Sequence, residues 1–337
     1  MQACVYPSRS HLKEVVNPSD YLGKPFTLRL ALGEAQLSYE SFDLRILEIY
    51  RNDPRYYYST DDIQGEIGTS DEYYNSEEMP ASDRALIKTF GFSYNSDLHR
   101  AVAVYLRYLT RMSPEHQQMW NARRVKGDYK LHPDYFKSTM GYWPDKISIF
   151  DAFIEEQQAI NEMCVLMKRP VFFRKALNRE TKPRGWGFLI RPTLKEYNEF
   201  VHLLDKAISE NINKDFFLND IPLEREEVRK KDGKIIIQQK GTLQLLEEWL
   251  NQKLQVIDRK PIDEMLATFK EIRKLRQRPA HGLDEDKFDQ KYFQHQRELI
   301  IRAYTGVRTI RLLFTNHPKV KGYEVPEWLY LGQIWTY

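Results

Sequence analysis

The stretch RKLRQRPAH, residues 273–281, gathers four basic residues, a proline and a histidine. These side chains have chemistry available to them. An imidazole titrates near neutral pH and can take or give a proton. A guanidinium offers a planar fork of donors that fits a carboxylate or a phosphate. The spacing singles out Arg276. Upstream, Ile262, Met265, Leu266, Phe269 and Ile272 recur three and four apart, the stripe of a helix with one buried face. The next member of that series is Arg276, so a cation stands where the pattern calls for an apolar residue. Such an arginine requires a carboxylate, a phosphate or a carbonyl as partner. Arg273 lies on the same side. Pro279 ends the helix, and His281 follows within one turn's reach.

A plain helix C-terminus accounts for part of this, because the helix dipole favours cations there and a histidine can bond the last carbonyls. It explains Lys274 and Arg278 and leaves Arg276 unexplained. A second reading comes from resemblance. Arg276 and His281, with four residues between them and a long helix on either side, resemble the R-x4-6-H motif of the HEPN superfamily. The resemblance covers about residues 193–316. It implies a metal-independent endoribonuclease of a bacterial defence or toxin system, acting on RNA as a homodimer with no cofactor. It equally implies the superfamily's other role, a non-catalytic module that binds RNA or protein as a subunit of a larger complex. In the catalytic case Arg276 and His281 carry the reaction, and Arg273, Gln277 and Arg278 support them or contact phosphate. The ribose 2′-OH attacks its own phosphate, the histidine moves the proton and the arginine stabilises the developing charge. Active members often carry Asn, Asp or His after the arginine; here that position is Gln277.

These residues need elements to hold them. Pro261 opens the helix that carries Arg276, and a longer helix from about Asp286 or Asp289 to Thr315 follows. Thr193 and Glu196 form a capping box for a helix to about Ser209, and Gly241-Thr242 opens another. Residues 150–169 have a helical apolar period that includes Cys164, read as a buried structural thiol. Ser113-Pro114 starts a short helix. The N-terminal part reads as β-rich. Alternation predicts strands at 26–32 and 42–46, aromatic and β-branched residues predict a hairpin around Asn95-Ser96-Asp97, and RGWGFLIRP suggests a last strand. Residues 51–85 read as a long polar loop, and LEREEVRKKDGK as a solvated linker or hairpin.

The fold class expected is therefore α+β, a β-containing N-terminal part followed by an all-α helical bundle. The organisation expected is a β-rich domain over 1–112, a mixed region over 113–190, a helical domain over 191–318 and an aromatic tail over 319–337 packed on the body.

Composition bounds the function. Apolar residues make up 42% of the 337, enough for a sizeable core, and the net charge is only +3, smaller than a constitutive duplex binder usually carries. Two distant cysteines give no disulfide framework or zinc site, which fits a cytoplasmic setting. No secretory leader or membrane-spanning run is expected. Phosphate-loop, dinucleotide and zinc-protease signatures are missing. Carboxylates at Asp215, Asp220, Glu224, Glu226 and Glu227 read as a charged surface in preference to a metal site. Tyr56-Tyr57-Tyr58 could stack bases, but packing on the body is the simpler expectation. Arg123-Arg124-Lys126 could contact phosphates, but a solvated helix end is the simpler expectation, and KPRGWG, residues 182–187, reads as a turn into a strand in preference to an RNA contact.

Overall fold

The computed structural model describes residues 6–175, 177–228, 235–255, 257–277 and 286–337. The chain is α+β and divides into two compact units, Met1–Asp145 and Lys146–Tyr337. The division falls inside the stretch expected to be a mixed middle region, so those residues are shared between the units.

In the first unit β1 (Tyr39–Phe42), β2 (Tyr56–Thr60), β3 (Gln64–Thr69), β4 (Leu86–Tyr94), β5 (Arg100–Tyr105) and β6 (Lys130–Leu131) form one sheet. Its order is β1-β5-β4-β3-β2, antiparallel throughout, with β6 on β4. The expected hairpin is its centre: Phe92 pairs with Val102, and Tyr94 with Arg100. Its turn closes because Asn95 Oδ1 accepts from the amides of Asp97 and His99. Every residue of β5 is buried, as an interior strand requires. The α-helices of this unit among the described residues are α1 (Arg9–Val15), α2 (Pro25–Ala31), α3 (Glu48–Arg51), α4 (Asp71–Tyr74), α5 (Leu106–Leu109), α6 (Pro114–Asn121) and α7 (Pro133–Thr139). Ser113 caps α6 as expected, accepting from the amide of His116. The core centres on Trp120, Tyr50, Phe26 and Phe42, with Phe42 edge-on to Trp120 at 4.9 Å.

Three expectations fail here. Residues 26–32 are not a strand. Pro25 sits in the first turn of α2, and Phe26 is the only residue of that helix that is fully buried. A short apolar alternation does not distinguish strand from helix when a proline pre-sets the helical φ. Residues 44–47 are a 3-10 turn, because Asp43 caps them by accepting from the amide of Arg45. The long polar loop over 51–85 contains the hairpin β2–β3, closed by Asp61 Oδ1 bonding the amides of Ile63 and Gln64. Tyr56, Tyr57 and Tyr58 are therefore strand residues pointing alternately to two faces. Only Tyr57 is strongly exposed, and Tyr56 donates to the Asp83 carbonyl at 2.6 Å.

The second unit is helical. α8 (Ile149–Leu166), α9 (Leu194–Ala207), α10 (Thr242–Lys253), α11 (Lys260–Gln277) and α12 (Gln290–Thr315) form it, with the short α13 (Glu327–Tyr330). α12 packs on α8, α11 and α9, and α11 packs on α9 and α10. Thr193 caps α9 by accepting from the Glu196 amide. The stripe Ile262, Met265, Leu266, Phe269 and Ile272 is buried as the periodicity requires. Gly306 permits the close crossing of α11 and α12, since a Cβ there would stand 2.8 Å from Phe269. Cys164 is buried, and desolvation pushes its thiol up to about 12, which suits a structural residue. The stretch RGWGFLIRP is not a strand. Trp186, Phe188 and Leu189 are instead buried in an irregular segment, where the Leu189 amide donates to Gln296 Oε1. Of LEREEVRKKDGK, the residues Glu224–Val228 form β8, which pairs antiparallel with β9 (Ile235–Gln239), and residues 229–234 lie outside the described residues. The tail packs back within its own unit: Leu329 is buried, and β10 (Ile334–Trp335) runs parallel to β7 (Ile147–Ser148).

Candidate functional site at the end of the eleventh helix

Arg276 occupies the penultimate position of α11, on the edge of the face that carries the apolar stripe. The partner it requires is a carboxylate. Its Nη1 donates to Asp205 Oδ2 at 2.7 Å and also to Glu210 Oε1. Asp205 lies on α9 among Phe200, Val201, Leu204 and Ala207, and its side chain is 0% exposed, whereas that of Arg276 is 26% exposed. Glu210 follows the end of α9, where its amide donates to the Asp205 carbonyl at 3.1 Å. One guanidinium thus ties the end of α11 to α9 and to the turn after it.

The electrostatics follow from this geometry. The hydrogen bond from Arg276 holds the Glu210 carboxyl below its ordinary range, with Lys206 and His202 adding to the effect. Asp205 first, then Glu210, hold the guanidinium more firmly protonated than a free arginine. The second oxygen of Asp205 is buried and has no hydrogen-bond partner among the described residues, and the Arg276 bond compensates that carboxylate for its loss of water. A phosphate approaching Nη1 competes with two carboxylates already in place.

The other residues of the motif divide. Arg273 is partly exposed and Lys274 exposed, and among the described residues neither has a carboxylate or any hydrogen-bond partner. Gln277 is exposed at the end of the helix. Arg278 and His281 lie outside the described residues. The structure therefore brings Arg273, Lys274, Arg276 and Gln277 to one helix end. The residues missed from the sequence are Asp205 and Glu210.

Several of the remaining candidates are engaged elsewhere. Arg124 pairs with Glu40 at 2.7 Å. Lys182 pairs with Asp151 at 3.1 Å, and Trp186 donates to the Phe150 carbonyl from a buried position, which leaves no face to stack a base. Asp220 bonds Arg169 and the Trp249 indole. Among the described residues no group of three or more His, Cys, Asp and Glu is gathered to hold a metal. No described helix is long and apolar enough to cross a membrane. No protein-family model matches the chain, and neither a curated protein nor a solved structure matches it significantly.

Proposed function

We propose that the second unit is a HEPN-like module that acts on RNA without a metal, with His281 moving the proton and the α11 terminus binding the phosphate backbone. The observation that supports this best is the pairing pattern at that terminus. Arg276 is anchored by carboxylates, while Arg273 and Lys274, one turn or less away, are charged and have no partner among the described residues. In this reading Arg276, held by its two carboxylates, fixes the helix end that precedes His281 in the sequence. Arg273 makes the principal phosphate contact, and a second copy of the chain supplies the matching half of the site. A direct test is incubation of the protein with single-stranded RNA in a chelator. Arg273→Gln is expected to weaken RNA binding by about tenfold, the loss of one charge-assisted contact. RNA binding unaffected by Arg273→Gln contradicts the assignment.

One observation favours the non-catalytic reading. Arg276 already has two carboxylate partners, Asp205 and Glu210, so it is satisfied without a ligand. In that case the motif is a structural latch, and the module binds RNA or protein without cleaving it. Cleavage that requires His281 separates the two.

A further inference from the structure

A cleft in the first unit has features that packing alone does not require. It has a volume of about 690 Å³ and is walled by β2, β3, β4, α5 and α7. That is ample for a mononucleotide-sized ligand and lies within the range of small-molecule sites. Its wall is rich in hydroxyls, from Ser59, Thr60, Thr89, Tyr108, Ser138 and Thr139.

Two basic residues line this cleft, Lys88 and Arg107, and among the described residues no carboxylate pairs with either. Arg107 is partly buried. Its Nη2 donates to Tyr108 Oη at 2.5 Å, and its Nε is buried without a hydrogen-bond partner. A half-buried guanidinium without an anion is costly unless a ligand supplies one. Two carboxylates share the wall, and both are occupied as acceptors. Asp61 takes the amides of Ile63 and Gln64, and Glu66 Oε1 takes the hydroxyls of Tyr57 and Ser59. Their other oxygens are available to accept from a ligand's hydroxyls. The cations thus call for an anion, and the carboxylates and hydroxyls for a polyhydroxyl group beside it.

The floor is purpose-shaped. Tyr135, 1% exposed, stacks on Tyr105 with ring centroids 5.6 Å apart and lies directly over Gly91 of β4. A Cβ on Gly91 would stand 2.1 Å from the Tyr135 ring, so this mid-strand glycine exists to let the ring reach the sheet. Gly65 on β3 is equally confined, with a Cβ falling 2.6 Å from the Ser59 carbonyl.

We propose that this cleft binds a phosphorylated sugar, the class that includes mononucleotides, with Lys88 and Arg107 on the phosphate and Asp61 and Glu66 on the sugar hydroxyls. The site stands apart from any reading of the second unit. Calorimetric titration of the full chain tests it with ribose 5-phosphate, the four ribonucleoside 5′-monophosphates, the unphosphorylated nucleosides and inorganic phosphate. At least one sugar phosphate is expected to bind with saturation at millimolar concentration or below, and the nucleosides are not. Lys88→Gln, an exposed position that leaves packing intact, weakens that binding by about tenfold, and Arg107→Gln by at least as much. Gly91→Ala, which displaces Tyr135, also weakens it, while Arg273→Gln in the other unit leaves it unchanged. The proposal is overturned if no sugar phosphate binds, if Lys88→Gln binds as the parent does, or if inorganic phosphate binds as tightly as the sugar phosphates.

Discussion

Arg276 illustrates how much one side chain can be asked to do. Its guanidinium compensates the fully buried Asp205, so Arg276→Ala leaves an uncompensated charge in the interior. The expected cost is about 2–3 kcal/mol, less than for a wholly buried pair because the arginine is partly in water. Urea denaturation measures it, and Arg276→Ala together with Asp205→Asn recovers most of the loss. Loss of RNA cleavage in Arg276→Ala alone would therefore not identify a catalytic arginine. The same node predicts a pH response. Glu210 titrates lower in the folded chain than in the unfolded one, so its pairing stabilises the fold above its unfolded value. That contribution is complete above the ordinary glutamate range and is lost as the pH falls through the lowered folded value. In Glu210→Gln the acid-induced decline in stability, followed by circular dichroism, is shallower than in the parent.

Helix pairs show which parts of the fold were written plainly in the sequence. The stripes of α11 and α12 were legible because long 3.6-residue periods have few alternative readings. The ion pairs between helices were only half legible. Arg276 on the stripe of α11 announced a missing partner, and Asp205 on the stripe of α9 is the same anomaly with the opposite sign. Glu156 on α8 and Arg311 on α12 repeat this. Both are buried, Arg311 Nη2 reaches Glu156 Oε1 at 3.2 Å, and Tyr304 donates to the same carboxylate at 3.4 Å. Desolvation still pushes the Glu156 carboxyl up. Matching charged intruders of opposite sign across predicted stripes would have found both pairs. Short strands and turns were less legible, since proline at a helix start and aspartate or asparagine bonding nearby amides override a few residues of alternation. At this scale Arg311→Met costs about 3–5 kcal/mol, because it strands Glu156 without its cation. The double variant Glu156→Leu, Arg311→Met restores most of that stability. Gly306→Ala destabilises by about 1–2 kcal/mol despite alanine's better helix propensity, since Phe269 must move. Both effects are read by thermal or urea unfolding.

The whole molecule combines an antiparallel sheet unit with a helical unit, and each has its own core. The α+β class was legible in the change of periodicity along the chain. The boundary at residue 145 was not, because α8 belongs to the helical unit by packing on α12, which is remote in sequence. The cleft of the first unit was likewise invisible, since its wall is assembled from five elements, none of which carries a recognisable motif. Whether the helical unit cleaves RNA is read from the chemistry of the RNA ends. RNA is incubated with the chain and with His281→Ala in excess chelator, after thermal unfolding has confirmed that the variant is as stable as the parent. Fragments ending in 2′,3′-cyclic phosphate are expected from the parent and none from the variant. Intact RNA in both, or identical cleavage by both, contradicts a role for His281 in RNA cleavage.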